Sequence, residues 1–102
     1  MKKQEYYEFR LRMLNRSRGR CEVCGKVITF ETMQLAHRIP QTKFYLHKYG
    51  KKVLHNAKNL VVCCSLKCNS SILLSPATHP IEAKKLIEKI QDELNKEKRH
   101  GK

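Results

Sequence analysis

The sequence predicts a small α+β fold, and three observations lead there. Stretches with helical periodicity stand at both ends of the 102-residue chain, short β-branched or alternating runs lie between them, and two close pairs of cysteines bracket those runs. A chain of this length holds one small domain, read as a single unit over residues 1–102 with its core at about 8–74. The hydrophobic share is 40% and there is no Trp. A core this thin is commonly held by a metal or by disulfides.

Residues 3–16 read as a helix, with Tyr6, Phe9, Met13 and Leu14 along one stripe and Arg and Lys elsewhere. "NRSRGR" ends it, and "CEVCGK" reads as a tight turn in which Gly25 permits the reversal. "VITF" (27–30) reads as a short strand and "MQLAHRI" (33–39) as a second, stopped by Pro40. Residues 41–58 read as a Lys-rich loop carrying Phe44, Tyr45 and Tyr49 and broken by Gly50. "NLVVC" (59–63) has the β-branched run of a buried strand, and "NSSILL" (69–74) reads as the start of a short helix closed by Ser75-Pro76. The last helix, at about 79–97, opens on His79-Pro80-Ile81-Glu82, with Pro in the first turn. Ala83, Leu86, Ile87, Ile90 and Leu94 then recur at helical spacing, and the tail "KEKRHGK" is expected to fray.

Five cysteines fall in two groups. Cys21 and Cys24 are separated by two residues. In "CCSLKC", Cys68 is separated from Cys64 by three residues and from Cys63 by four. These spacings fall in the range used for tetrahedral zinc. The spacing leaves Cys63 and Cys64 open as alternatives. The strand reading turns Cys63 into the core, which selects Cys21, Cys24, Cys64 and Cys68 as a closed, structural Zn²⁺ site. No apolar run approaches the length of a membrane span, and "MKKQEYYEF" lacks a signal-peptide core, so a cytoplasmic, reducing setting is expected.

The 22 Lys and Arg against 9 Asp and Glu give a net charge of +13. Between Thr32 and Ile81 there is no acidic residue, while Arg38, Lys43, Lys48, Lys51, Lys52, Lys58 and Lys67 all fall there. A solvated surface ordinarily mixes both signs, so this one-sided stretch points to a polyanion, with nucleic acid the default and no membrane partner.

The order Cys-x-x-Cys, then "AHRIP", then "NLVVCCSLKCN", resembles the zinc-stapled branch of the HNH nucleases, whose fold is the ββα-metal fold. The resemblance covers roughly residues 8–74 and implies a zinc-stapled ββα-metal domain with flanking N- and C-terminal helices. It implies a metal-dependent DNA endonuclease in which His37 is the general base, its tautomer fixed by a backbone carbonyl from the Asn59 loop. By the same likeness Asn59 is the Asn that ties down that loop, and Asn69 binds the catalytic divalent ion, such as Mg²⁺, Mn²⁺ or a transition metal. His55 is a candidate second ligand, with Glu22 and Glu31 as alternatives, and Arg38 with Lys43, Lys48, Lys51, Lys52 and Lys58 would hold the DNA phosphates. One position departs from the pattern: Ala36 stands where many members carry an Asp or His ligand. That departure supports the alternative expectation, a zinc-stabilised nucleic-acid-binding module that does not cut.

Overall fold

The computed structural model describes residues 2–100, with side chains described as far as Glu97. It is a small α+β structure of five α-helices and one two-stranded sheet among the described residues. No described helix is long and apolar enough to cross a membrane. The chain divides into two compact units, Met1–Ala36 with Leu60–Ile72, and His37–Asn59 with Leu73–Lys102.

The first unit opens with helix α1 (Lys3–Arg16). Only Met13 of the expected apolar stripe is buried, with Phe9 and Leu14 half-buried, because the aromatic end of α1 is organised around a cation instead. The Arg10 guanidinium lies 4.9 Å from the Phe30 ring centre and 5.8 Å from that of Tyr6, and its Nη2 donates to the Phe30 carbonyl at 2.9 Å. Strand β1 (Gln34–His37) pairs with β2 (Leu60–Cys63). The strand expected at 27–30 does not form. Val27 makes one isolated bridge to Arg20, and the chain then turns between Thr29 and Thr32, whose hydroxyls take over the local hydrogen bonds, as when Thr32 Oγ1 accepts from the Thr29 N–H at 2.9 Å. Helix α4 (Leu66–Ser71) starts three residues before the helix expected at 69–74, because Ser65 Oγ caps it by accepting from the Cys68 N–H at 3.4 Å.

The second unit corrects the largest misreading. Residues 41–58 are not a loop but helix α2 (Lys43–Tyr49), helix α3 (Lys51–Leu54) and a 3₁₀ turn, Ala57–Asn59. Thr42 caps α2 by accepting from the Tyr45 N–H at 3.2 Å. Gly50, at φ 87°, supplies the left-handed residue that ends α2 and starts α3. Helix α5 (Pro80–His100) buries Ala83, Ile87 and Ile90 against Ile39, Val53, Leu54 and Leu74. Helix α5 thus runs past Glu97 through the expected frayed tail as far as His100, and Gly101 and Lys102 lie outside the described residues.

One polar side chain sits in this region without solvent exposure. Asn59 is 0% exposed. Its Oδ1 accepts from the Ile39 N–H at 2.9 Å, and its Nδ2 donates to the carbonyls of Ile39 at 3.2 Å and Leu54 at 2.9 Å. Removing a partner from a buried backbone group costs about 1–3 kcal/mol. Asn59→Ala strands one N–H and two C=O groups, so urea unfolding should show a loss of at least about 2 kcal/mol.

Candidate metal centre and histidine pair

The metal centre is built from two turns in the first unit. In the first, the Cys21 N–H donates to the Lys26 carbonyl at 2.8 Å and the Gly25 N–H to the Cys21 carbonyl at 3.0 Å, with Gly25 at φ 80°. This reversal turns the N–H groups of Val23 and Cys24 toward Cys21 Sγ, at 3.4 and 3.5 Å. Glu22 fastens the turn to β2, its N–H donating to the Val62 carbonyl and its Oε1 accepting from the Val62 N–H, both at 2.8 Å. The same carboxylate takes Arg16, so Glu22 is committed to structure and does not serve as a ligand elsewhere.

The second turn brings Cys64 and Cys68 to the first. Ligand atoms of Cys21, Cys24, Cys64 and Cys68 all lie within 4.8 Å of one another, with Cys24 Sγ 3.6 Å from Cys64 Sγ and Cys64 Sγ 3.8 Å from Cys68 Sγ. Four sulfurs about 2.3 Å from one tetrahedral zinc stand about 3.8 Å apart, so the cluster fits a structural Zn²⁺. Burial pushes the Cys68 thiol up to about 12, with the neighbouring sulfurs adding to it. At Cys21 burial also acts upward, but the backbone groups of Cys24, Val23 and Cys64 outweigh it and bring the thiol down to about 6. A coordinated cation reverses the crowding, because bound thiols are held as thiolates.

Cys63 is outside the cluster. It is 0% exposed, its Sγ lies 3.8 Å from the Val61 carbonyl, and burial together with the charges of nearby groups pushes it up to about 11.

In the second unit the structure brings His37 and His55 together. His37 Nε2 lies 3.0 Å from His55 Nδ1, so the partner of His37 is a ring nitrogen and not the expected backbone carbonyl. Burial, and then the charge His55 carries when protonated, hold His37 below the ordinary 6.5. Asn59 explains how two residues 18 positions apart meet. It bonds the Ile39 N–H, two residues after His37, and the Leu54 carbonyl, one residue before His55, so one buried amide fixes the backbone beside both rings. With no exposure, Asn59 acts on position rather than on any bound molecule. Beside His37, Arg38 is half-buried, its N–H donates to the Asn59 carbonyl at 2.8 Å, and its buried Nε has no hydrogen-bond partner.

The basic residues divide. Lys43, Lys48, Lys51 and Lys52 are exposed on α2 and α3, with Lys48 Nζ 5.4 Å from the Tyr49 ring centre. Lys58 is paired with Glu93, a partner 35 residues away that no sequence signal announces.

The residues expected to hold a catalytic divalent ion do not form a cage. Ala36 offers no ligand atom and is 2% exposed, His55 Nδ1 is engaged by His37, and Asn69 lies half-buried on α4 with one neutral carbonyl oxygen to give. Among the described residues, the four cysteines are the one group of three or more His, Cys, Asp or Glu close enough to share a metal. Mg²⁺ draws on carboxylates, and none lies between Thr32 and Ile81. No chemical step is therefore assigned to such an ion. Comparison with family models, curated proteins and solved structures finds no match to this chain.

Three outcomes are expected. Cys64→Ser should lose zinc, measured by metal content, and lower the melting temperature sharply, because metal binding in small domains is folding free energy. Cys63→Ala should keep one zinc per chain and cost about 1 kcal/mol of packing. Ala36→Asp places a carboxylate at a buried position with no partner, so it should lower the melting temperature in any divalent metal rather than create an ion site.

Proposed function

We propose that this chain is a zinc-stapled DNA endonuclease of the HNH kind, with His37 as the general base. The observation that supports the reading is the setting of His37. One ring nitrogen is bonded to His55, no hydrogen bond among the described residues reaches Nδ1, and burial favours the neutral ring. A neutral imidazole held in one orientation and open on one nitrogen suits removal of a proton from water. The resulting hydroxide adds to phosphorus, the bond to one ester oxygen breaks, and solvent returns a proton to the leaving oxygen. Arg38 sits next to the base with no carboxylate beside it among the described residues. Its planar fork suits a phosphate, and Lys43, Lys48, Lys51 and Lys52 extend a positive surface for the strand.

A second reading has its own observation. The buried, ligand-free side chain of Ala36 favours a zinc-stabilised nucleic-acid-binding module that leaves the phosphodiester intact.

Nicking of supercoiled plasmid in Mg²⁺, Mn²⁺, Co²⁺ and Ni²⁺ tests the choice. Cleavage should be lost on His37→Ala by roughly 10²–10⁴-fold, with zinc content and DNA affinity unchanged. The acidic limb of the kcat/KM profile, which reports the DNA-free protein, should fall below pH 6.5, because the folded value of His37 lies under that figure and the base form survives until the pH drops through it. If DNA binding is salt-dependent, with a log–log slope of about −4 to −5 for five phosphate contacts, yet no metal supports cleavage, the binding-module reading replaces the nuclease.

A further inference from the structure

The geometry of the histidine pair fits one N–H···N hydrogen bond between the rings. His37 Nε2 and His55 Nδ1 are 3.0 Å apart, and the ring centres are 5.2 Å apart with their planes at 70°. That separation is close to the nitrogen contact plus the centre-to-nitrogen reach of both rings. The two nitrogens therefore point at each other along the line of contact, as in a single N–H···N bond. Two nitrogens chelating one cation would both turn toward a point off that line and bring the ring centres closer.

Such a bond holds one proton. With both rings neutral, the two remaining nitrogens, His37 Nδ1 and His55 Nε2, share one proton and one lone pair. If His55 donates, both rings are Nδ1–H tautomers and the lone pair lies on His55 Nε2. If His37 donates, both rings are Nε2–H tautomers and the lone pair lies on His37 Nδ1. The Nε2–H form is the commoner tautomer of a neutral histidine, and the second arrangement gives it to both rings. It also places the outward N–H on His55, the more exposed of the two, where water solvates it.

We propose that His55 is a positioning residue for His37: its Nδ1 accepts the His37 Nε2–H and so leaves the lone pair of the dyad on His37 Nδ1. The inference rests on the reading of His37 as a general base and names what makes that nitrogen the base. It also separates two roles. The neutral dyad has one outward lone pair, so His37 as base and His55 as cation ligand exclude each other. In the proposed state His55 Nε2 carries a proton and faces solvent. When His37 Nδ1 takes a proton from water, the dyad holds one positive charge across the N–H···N bond until solvent removes it.

Long-range ¹⁵N–¹H NMR of the zinc-loaded full chain at pH 8 reads the tautomer directly. The wild type should show an unprotonated His37 Nδ1 and a protonated Nε2. His55→Ala should give a mixture of His37 tautomers, and His55→Asn, which keeps an acceptor oxygen where Nδ1 stood, should restore the single form. In plasmid nicking, His55→Ala should lose part of the roughly 10²–10⁴-fold general-base contribution in kcat with KM for DNA little changed, and His55→Asn should recover it. A wild-type His37 in the Nδ1–H form, or one whose tautomer ignores His55→Ala, overturns the proposal. The expected tautomer in a protein that cuts in no metal supports the His55 assignment and removes the nuclease reading, so the two failures are told apart.

Discussion

Four sulfurs held within 4.8 Å of one another form a constraint that the first unit must satisfy. As thiols they crowd, and burial with the neighbouring sulfurs raises Cys68 well above an ordinary cysteine. A divalent cation turns that crowding into attraction, and the local architecture is arranged to receive one. Backbone N–H groups already face Cys21, Ser65 caps the short helix that carries Cys68, and the Glu22 carboxylate fastens the first turn to Val62 and Arg16. The apolar residues buried with the cysteines are few and mostly of moderate size: Met13, Ile28, Met33, Ala36, Leu60 and Val62. A metal bound at this cluster would carry a large share of the stability that a bigger core would supply.

The second unit solves a different problem with different means. Its apolar side chains from α2, α3 and α5 need no staple, but two backbone segments, around residues 39 and 54, must be held while their polar groups are kept from water. Asn59 meets the requirement with a single amide. The consequence reaches the surface, because the same two segments carry His37 and His55. A buried hydrogen-bond network specifies geometry more sharply than apolar packing does. The site's order thus derives from a residue that no bound molecule touches.

Much of this was legible in the sequence. The terminal helices, the centres of both strands and the four-cysteine cluster followed from helical spacing, β-branched runs and cysteine intervals, signals that depend on local geometry. Helices α2 and α3 escape the sequence pattern because Lys content and Gly50 carry loop signals. The better signal was the bracket of Thr42 and Gly50 around Tyr45, Leu46 and Tyr49, continued by Val53. The strand at 27–30 was lost to two threonine hydroxyls, a competition that β-propensity does not weigh. Contacts such as His37 with His55, or Lys58 with Glu93, join residues through the fold and leave no periodic trace. For Ala36, the letter showed the absence of a ligand atom, but only its burial shows that the position faces the interior.

That burial bears on how positive charge would reach a phosphate. In a strand, neighbouring side chains face opposite ways, so a half-exposed His37 goes with an inward Ala36, and a cation ligand at that position is excluded by packing as well as by chemistry. On the hydrolytic reading, charge neutralisation then falls to Arg38 and the lysines of α2 and α3. This arrangement suits a histidine base. Before DNA arrives, burial and the neighbouring His55 keep His37 neutral. A phosphate seated by Arg38 adds negative charge beside the ring, which favours the imidazolium. The base would gain proton affinity when its substrate is in place, and lose it again when the product leaves.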